Sequence, residues 1–391
     1  MRVIVIGAGL GGLTLAQGLH RAGIDVVVYE RDRVEGRPQG ISLHMDDRGA
    51  AALRACLPHG HAAMAEATMG GARREALALA ETDGRLTVQH ARPLDGAPGT
   101  ARPGRQADRP LLRAVLLTGL EDRVRFGARF TRFKRRPDGT VRAWFADGGT
   151  DTADVLVGAD GIGSAVRRQY LPHVRVLDTG RHMLMGATPL RAVADVGLPA
   201  LIGHNSAAMR MHGRMMALGV LRFSQPPVAA RDRWLPALRG PAVTAAEDYV
   251  MWALPVTGEW PDLAGPPAER WHRARKEAEA LHPDLRSIVG RAWPDVTVAL
   301  RGATIPAMAA WSAGPVTVLG DAIHAAPGFG GNLAMQDAHR LRDALVQAAR
   351  GEGTLLAAIG AYEDAMRRDG FPATDVPREK AGTGVVAERR A

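Results

Sequence analysis

Apolar and polar positions along this chain follow two different periods. Residues 2–6, RVIVI, form a short β-branched run, the mark of a strand covered on both faces. LTLAQGLHRAG (13–23) changes to helical spacing and stops at glycine. DVVVYE (25–30) is a second strand ending in Glu30, and VLV (155–157) and VTVL (316–319) are two more. Between 175 and 300 the pattern becomes that of an antiparallel sheet. AAMRMH (207–212), a GR turn and MMALGVLRF (215–223) read as a hairpin, and DYVMWAL (248–254) as a further strand. Helical spacing returns at Leu333, Ala334, Met335, Ala338, Leu341, Ala344 and Leu345, and again over 358–371. The order predicts an α/β fold: a Rossmann-like nucleotide-binding domain, an inserted mixed β-sheet and C-terminal helices.

Between the first strand and helix stands GAGLGG, with Gly7, Gly9 and Gly12 in G-x-G-x-x-G spacing and Leu10 and Gly11 between them. Gly7 makes the tight turn, Gly9 lets backbone N–H groups approach a pyrophosphate, and Gly12 lets the helix pack close to the strand. The helix N-terminus favours the negative charge. Glu30, with Arg31 after it, stands where a carboxylate accepts hydrogen bonds from an adenosine ribose, so FAD or NAD is expected over NADP. The spacing alone is weak evidence. Strand, turn, helix, second strand and terminal acid in this order make it strong. A second Gly-rich turn, GDAIHAAPGFGGN (320–332), also runs into a helix.

Composition narrows the partners. The chain has 391 residues, 46% hydrophobic and 23% charged, which suits two intimately joined domains or one large domain with an inserted layer. Net charge is +9, but lysine occurs only at 134, 276 and 380, and the arginines are interleaved with acids. The densest run, RFKRRPDG (132–139), reads as a strand entering a turn. A bias toward anionic ligands follows, and no nucleic-acid face. Cys56, the single cysteine, can form no intrachain disulfide, and it sits in LRACLP, read as a buried helix end. A reducing, cytoplasmic setting is expected. No stretch approaches a membrane span, and MRVIVIGAGLGG reads as a strand rather than a signal peptide. No histidine spacing indicates a metal site.

The GAGLGG…YE, GADGIGS (158–164) and LGDAIHAAP (319–327) segments together resemble the single-component FAD-dependent aromatic hydroxylases. That family includes para-hydroxybenzoate hydroxylase, salicylate hydroxylase and tetracycline-inactivating monooxygenases, and the match covers essentially the whole chain. The resemblance implies non-covalent FAD and NAD(P)H as co-substrate. It implies that Asp321, after Gly320, bonds the ribityl chain, and that Asp160 and Gly161 lie near the pyrophosphate. It further implies that Arg109, in RPLLRAVL, approaches the FAD, and that Arg37 and Gly40 flank the flavin ring. Pro327, Gly330, Gly331, Asn332 and Leu333 fall in the ring-binding loop, which is roughly three residues shorter than the family's P-x-x-G-G-x-G-x-N. The implied division is an FAD-binding domain from 1–70, 100–172 and 300–375, a substrate-binding sheet region from 71–99 and 173–299, and a flexible tail, 376–391.

Methionines crowd the middle segment, and Met183, Met185, Met209 and Met211, with Trp252, are candidate walls for a flat apolar substrate. Strand alternation sends some of the methionines to each face. His44 is a candidate for orienting substrate or acting as a base, and Arg210 and His212 for binding a phenolate or carboxylate, with a solvent-facing role weighed against that for Arg210 and His212. The expected reaction takes electrons from NAD(P)H and places one atom of O2 on an aromatic or polyketide-type molecule of secondary metabolism, by hydroxylation, epoxidation or Baeyer–Villiger insertion. Two alternatives stand beside it: a cyclase or isomerase with structural or absent FAD, and a flavin-dependent double-bond reductase. Monomer and homodimer are both compatible with the sequence.

Overall fold

Five short strands lie parallel in one sheet, in the order Val316–Val318, Val155–Gly158, Arg2–Ile6, Asp25–Tyr29, Val124–Arg125. The central strands are near-continuous Val/Ile/Leu runs because both faces are covered. Val3, Ile4 and Val5 are fully buried, as are Val155, Leu156 and Val157. The helices Leu10–Arg21 and Gly330–Ala349 pack together over this sheet, and an antiparallel meander, Phe130–Arg135, Val141–Phe145 and Thr150–Ala153, packs against it. The structure is a computed structural model that describes residues 1–36, 40–96, 101–180, 182–256, 265–325 and 330–374, with side chains to 371. Arg37, Pro327 and the 376–391 tail lie outside the described residues.

A second sheet has seven strands in the order Val298–Leu300, His182–Pro189, Tyr249–Val256, Arg214–Leu221, Ser206–Met211, Glu75–Thr82, Arg85–Pro93. Only the Ser206–Met211 and Glu75–Thr82 pair is parallel. The expected hairpin is present, with its turn at His212–Gly213 rather than Gly213–Arg214. Both residues have positive φ, 47° and 72°, the geometry of a two-residue turn that matches strand twist. One face of this sheet carries Met209, Met216, Leu218, Trp252 and Leu254 into a second core with the helices Pro267–Ala278 and Pro283–Gly290. A small third sheet, Ser42–Asp46, Gly104–Asp108 and Ala72–Arg73, is antiparallel throughout.

The first helix begins at Leu10, not 13. Its periodicity is apolar only from Leu13, but Gly9 is the N-cap and Gly11 and Gly12 lie inside the first turn. Glycine weakens a helix interior least near its end, so the propensity signal hides the true start. Among the described residues no helix is long and apolar enough to cross a membrane.

Candidate functional site

Three of the parallel strands end in turns that face the same crevice: Gly7 follows Ile6, Ala159 and Asp160 follow Gly158, and Leu319 to Asp321 follow Val318. Glu30 follows the end of the fourth, Asp25–Tyr29, beside them. In a parallel sheet with crossovers, ligands bind outside the carboxyl ends of the strands. The crevice opens into a cleft of about 1470 Å³ that continues to the second sheet. A drug-sized pocket is roughly 300–1,000 Å³, so this cleft has room for a dinucleotide and a small molecule together. Its walls carry eight arginines (31, 73, 92, 109, 129, 168, 270, 301) and four acids (30, 32, 160, 321), a formal excess of four positive charges.

The glycine turn is built as its spacing implies. Gly7 has φ +110° and lies against the Ala159 backbone, so a side chain there would be strained and would collide. A Cβ on Gly12 would strike the Gly7 carbonyl and come within 3.2 Å of the Ala159 Cβ. A Cβ on Gly9 would meet nothing within 4 Å: its space belongs to the cleft. No side chain caps the Leu10–Arg21 helix, so its first-turn N–H groups remain available to an anion.

The turn is clamped at Ala8. The Ala8 N–H donates to Glu30 Oε2 at 2.7 Å, and its carbonyl accepts from Arg113 Nε at 3.1 Å. Glu30 Oε1 accepts from the Asp32 N–H at 2.9 Å. Glu30 therefore holds the turn, borders the cleft, and keeps further acceptor capacity on each oxygen. Arg113 is a residue the sequence reading passed over. It is one turn along the helix Arg109–Leu117 from Arg109, and that four-residue spacing was the available signal.

Asp160 Oδ2 caps the Ala165–Tyr170 helix, accepting from Ala165 N–H at 2.7 Å and Val166 N–H at 3.3 Å. Its Oδ1 is buried with no partner among the described residues, and burial raises its pKa. Gly161 has φ +74° and leaves open space on the cleft side. Asp321 also opens on the cleft. The protein around its carboxyl raises the pKa, while the charges of His324 and Arg109 oppose that shift. Arg109 borders the cleft at the start of its helix, directly after Asp108, whose carboxyl accepts from Leu111 N–H at 2.8 Å and is pushed up to about 7 by burial. His324 is fully buried, with Nε2 2.5 Å from Asp337 Oδ2, and burial opposes the raising effect of that carboxylate. The same Asp337 oxygen accepts from the Gly320 N–H at 2.9 Å, which fixes the Asp321 turn.

The Gly330–Ala349 helix puts Gly330, Gly331 and Ala334 on the cleft. Asn332 and Leu333 do not border it: they are buried, at 2% and 1% exposure. Asn332 Nδ2 donates to the His44 carbonyl at 2.7 Å, and its Oδ1 accepts from the Asp46 N–H at 3.0 Å. Its side chain therefore fixes the helix start to the Ser42–Asp46 strand. Gly40, at φ +92°, borders the cleft, as do Leu10, Gly11 and Arg31.

The methionines divide by face. Met183, Met185, Met215 and Met251 line the cleft. Met209, Met211 and Trp252 do not: Met209 and Trp252 are buried in the core behind the sheet, and Met211 packs against it. Trp252 lies across Gly186, its cross-strand partner, on the helix-covered face. Arg210 is opposite Met215 in the hairpin but beyond the cleft wall, and His212 sits in the turn with Nδ1 3.4 Å from the Ala280 carbonyl. Neither borders the cleft, because the hairpin tip extends past it. Alanines 76, 78, 208, 217 and 253 form much of the cleft's sheet wall. The small–large alternation of EALALA (75–80) was the signal for that wall.

His44 borders the cleft. Its Nε2 lies 2.8 Å from the Arg102 carbonyl, which only accepts, so Nε2 carries the proton and the Nδ1 lone pair faces Arg73 at 3.5 Å. Burial first, and then the Arg73 charge, push its pKa down to about 4. His44 is neutral at pH 7 and a weak base.

A relative from Phaeosphaeria nodorum, the dual O-methyltransferase/FAD-dependent monooxygenase elcB, is 31% identical over 95% of this chain and 42% of its own length. The chain thus spans less than half of that relative, and the same holds for the Cercospora beticola dual enzyme CTB3, at 44%. The Pseudomonas aeruginosa 2-heptyl-3-hydroxy-4(1H)-quinolone synthase is 28% identical over 91% of this chain and 84% of its own. Among solved structures, an FAD-containing monooxygenase candidate from Photorhabdus luminescens subsp. laumondii has a TM-score of 0.79 at 26% identity, covering 98% of each chain. Klebsiella pneumoniae HpxO, complexed with FAD and uric acid, shares the fold at a TM-score of 0.72 and 24% identity, covering 97% of this chain and 88% of its own. The family model described as FAD binding domain matches residues 1–365, so the chain belongs to that family, and FAD is the group its Gly-turn crevice fits.

Proposed function

We propose that this protein is an FAD-dependent monooxygenase that uses NAD(P)H and O2 to oxygenate an aromatic or polyketide-type small molecule. One observation carries the reading: the crevice at the ends of the parallel strands and the Met/Ala wall of the second sheet belong to one continuous cleft. Bound FAD supplies the electron and oxygen chemistry. The chain's residues bind and orient. The uncapped N–H groups after Gly9 and the open position at Gly161 receive the pyrophosphate, Glu30 the ribose, and Asp321 with Arg109 the ribityl region. The N-terminus of the Gly330–Ala349 helix, presented through Gly330 and Gly331, stabilises negative charge at the ring. Met183, Met185, Met215 and Met251 exclude water and contact a flat substrate. In this reading the FAD-binding part comes from 1–70, 100–172 and 300–375, and the substrate wall from 71–99 and 173–299.

The test is direct. The purified protein should show a flavin spectrum and should oxidise NAD(P)H with O2 uptake only when a substrate is added. A protein that cannot be loaded with FAD would refute the proposal. Turnover that proceeds without O2 would assign it to a double-bond reductase instead.

A further inference from the structure

Arg73 ends the short strand Ala72–Arg73 and is 5% exposed, yet it borders the cleft. Its Nε donates to the His204 carbonyl at 3.4 Å, one terminal nitrogen faces His44 Nδ1 at 3.5 Å, and the other donates to the Gln106 side-chain oxygen. Those contacts use three of the guanidinium's five N–H groups, leaving two. All three partners are neutral. No carboxylate among the described residues is within ion-pair reach, and Tyr249, the ionisable side chain that interacts with it, is a buried phenol whose pKa is raised well above its ordinary value, so it carries no charge at neutral pH. Burial lowers its pKa to about 10, so the group is still a cation at neutral pH. The chain also makes room for it: a Cβ on Gly219, inside the strand Arg214–Leu221, would lie 2.7 Å from Arg73 Nη2.

A buried cation without a counter-ion is strongly unfavourable, and its usual remedy is an anionic partner. Here the cleft is the direction from which one can come. We infer that Arg73 is a substrate-binding residue that receives an anionic oxygen, a carboxylate or a phenolate, so the substrate is an organic anion. This rests on the monooxygenase reading for the identity of the ligand as substrate. His44 follows as a positioning residue: its neutral Nδ1 holds one guanidinium nitrogen and so directs the others.

The test uses the FAD-loaded protein and matched probes, titrated by fluorescence without turnover. The pairs are 2-naphthoate against 2-naphthamide for a carboxylate, and 4-nitrophenolate against 4-nitroanisole for a phenolate. At least one charged member should bind about tenfold more tightly than its neutral partner, as for a charge-assisted hydrogen bond. Arg73→Gln should abolish that preference, and Arg73→Lys should keep part of it. No charged preference in the wild type, including no binding by either anion, overturns the inference, as does a preference that survives Arg73→Gln. If Arg73→Gln does not hold FAD, Arg73→Lys decides: a reduced preference supports the assignment and an undiminished one refutes it. Because no turnover is needed, loss of NAD(P)H oxidation with the preference intact would refute the reaction and leave this site standing.

Discussion

Gly9 and Gly12 stand three residues apart in one turn, and the structure assigns them opposite kinds of constraint. Alanine at Gly12 places a methyl group against the Gly7 carbonyl and 3.2 Å from the Ala159 Cβ. Neither obstacle is the end of a flexible side chain, so the helix itself must move. Overpacking of this kind costs about 1–3 kcal/mol, less up to about 1 kcal/mol regained from replacing glycine in a helix. Taken at the middle of both ranges, the expected net loss is about 1.5 kcal/mol, a fall in melting temperature of roughly 3–6 °C at about 2–4 °C per kcal/mol. Alanine at Gly9 meets nothing within 4 Å, at a φ of −81° that any residue adopts. The apo protein should therefore melt within about 2 °C of wild type, because the change stays within about 0.5 kcal/mol. In the proposed binding mode its methyl group instead occupies the path of the pyrophosphate, so FAD affinity should fall about tenfold or more, or about 1.4 kcal/mol. The assays are thermal denaturation of apo protein and flavin fluorescence titration, run on both variants. Wild-type FAD affinity in Gly9→Ala, or wild-type stability in Gly12→Ala, would refute the reasoning.

Asp321→Asn should leave the far-UV spectrum unchanged and weaken FAD binding about tenfold by flavin titration, since it removes a charged acceptor from the cleft. Asn332→Ala should lower stability by about 2–4 kcal/mol in urea unfolding, because it orphans the His44 carbonyl and the Asp46 N–H in a buried site. His44 has its folded pKa lowered to about 4 from 6.5. The unfolded chain takes up that proton first, so wild-type stability relative to His44→Gln should be full above about pH 6.5 and should decline by up to about 3 kcal/mol toward pH 4. A pH-independent difference between the two unfolding curves would show that His44 is not buried as a neutral ring.

Much of this protein is legible in its sequence. The short apolar runs at 2–6, 155–157 and 316–318, each beside a Gly, Asp or Pro, read as covered strands, and the Gly7–Gly9–Gly12 turn with Glu30 after the next strand has one common structural use. The His212–Gly213 pair, a residue early in the hairpin's expected turn, shows the same local control. Each of these depends on neighbours a few residues apart, where backbone sterics and hydrogen-bond needs act directly. What local pattern leaves open is absolute direction. Alternation puts Met183 and Met185 on one face and Met209 and Met211 on one face, but nothing local says which face meets the cleft. The helices Pro267–Ala278 and Pro283–Gly290 decide it by covering the far side, which takes Met209 and Trp252 into a core and leaves Met183 and Met185 on the cleft. The same holds for Asn332, which helical spacing places at a helix start but which only the Ser42–Asp46 strand turns into a buried clamp. Arg73 has no local signature at all. Its isolation from every carboxylate among the described residues comes from three strands and a glycine brought together from positions 44, 73, 106 and 219. Sequence periodicity sets which residues share a face, and only long-range packing sets what that face looks toward.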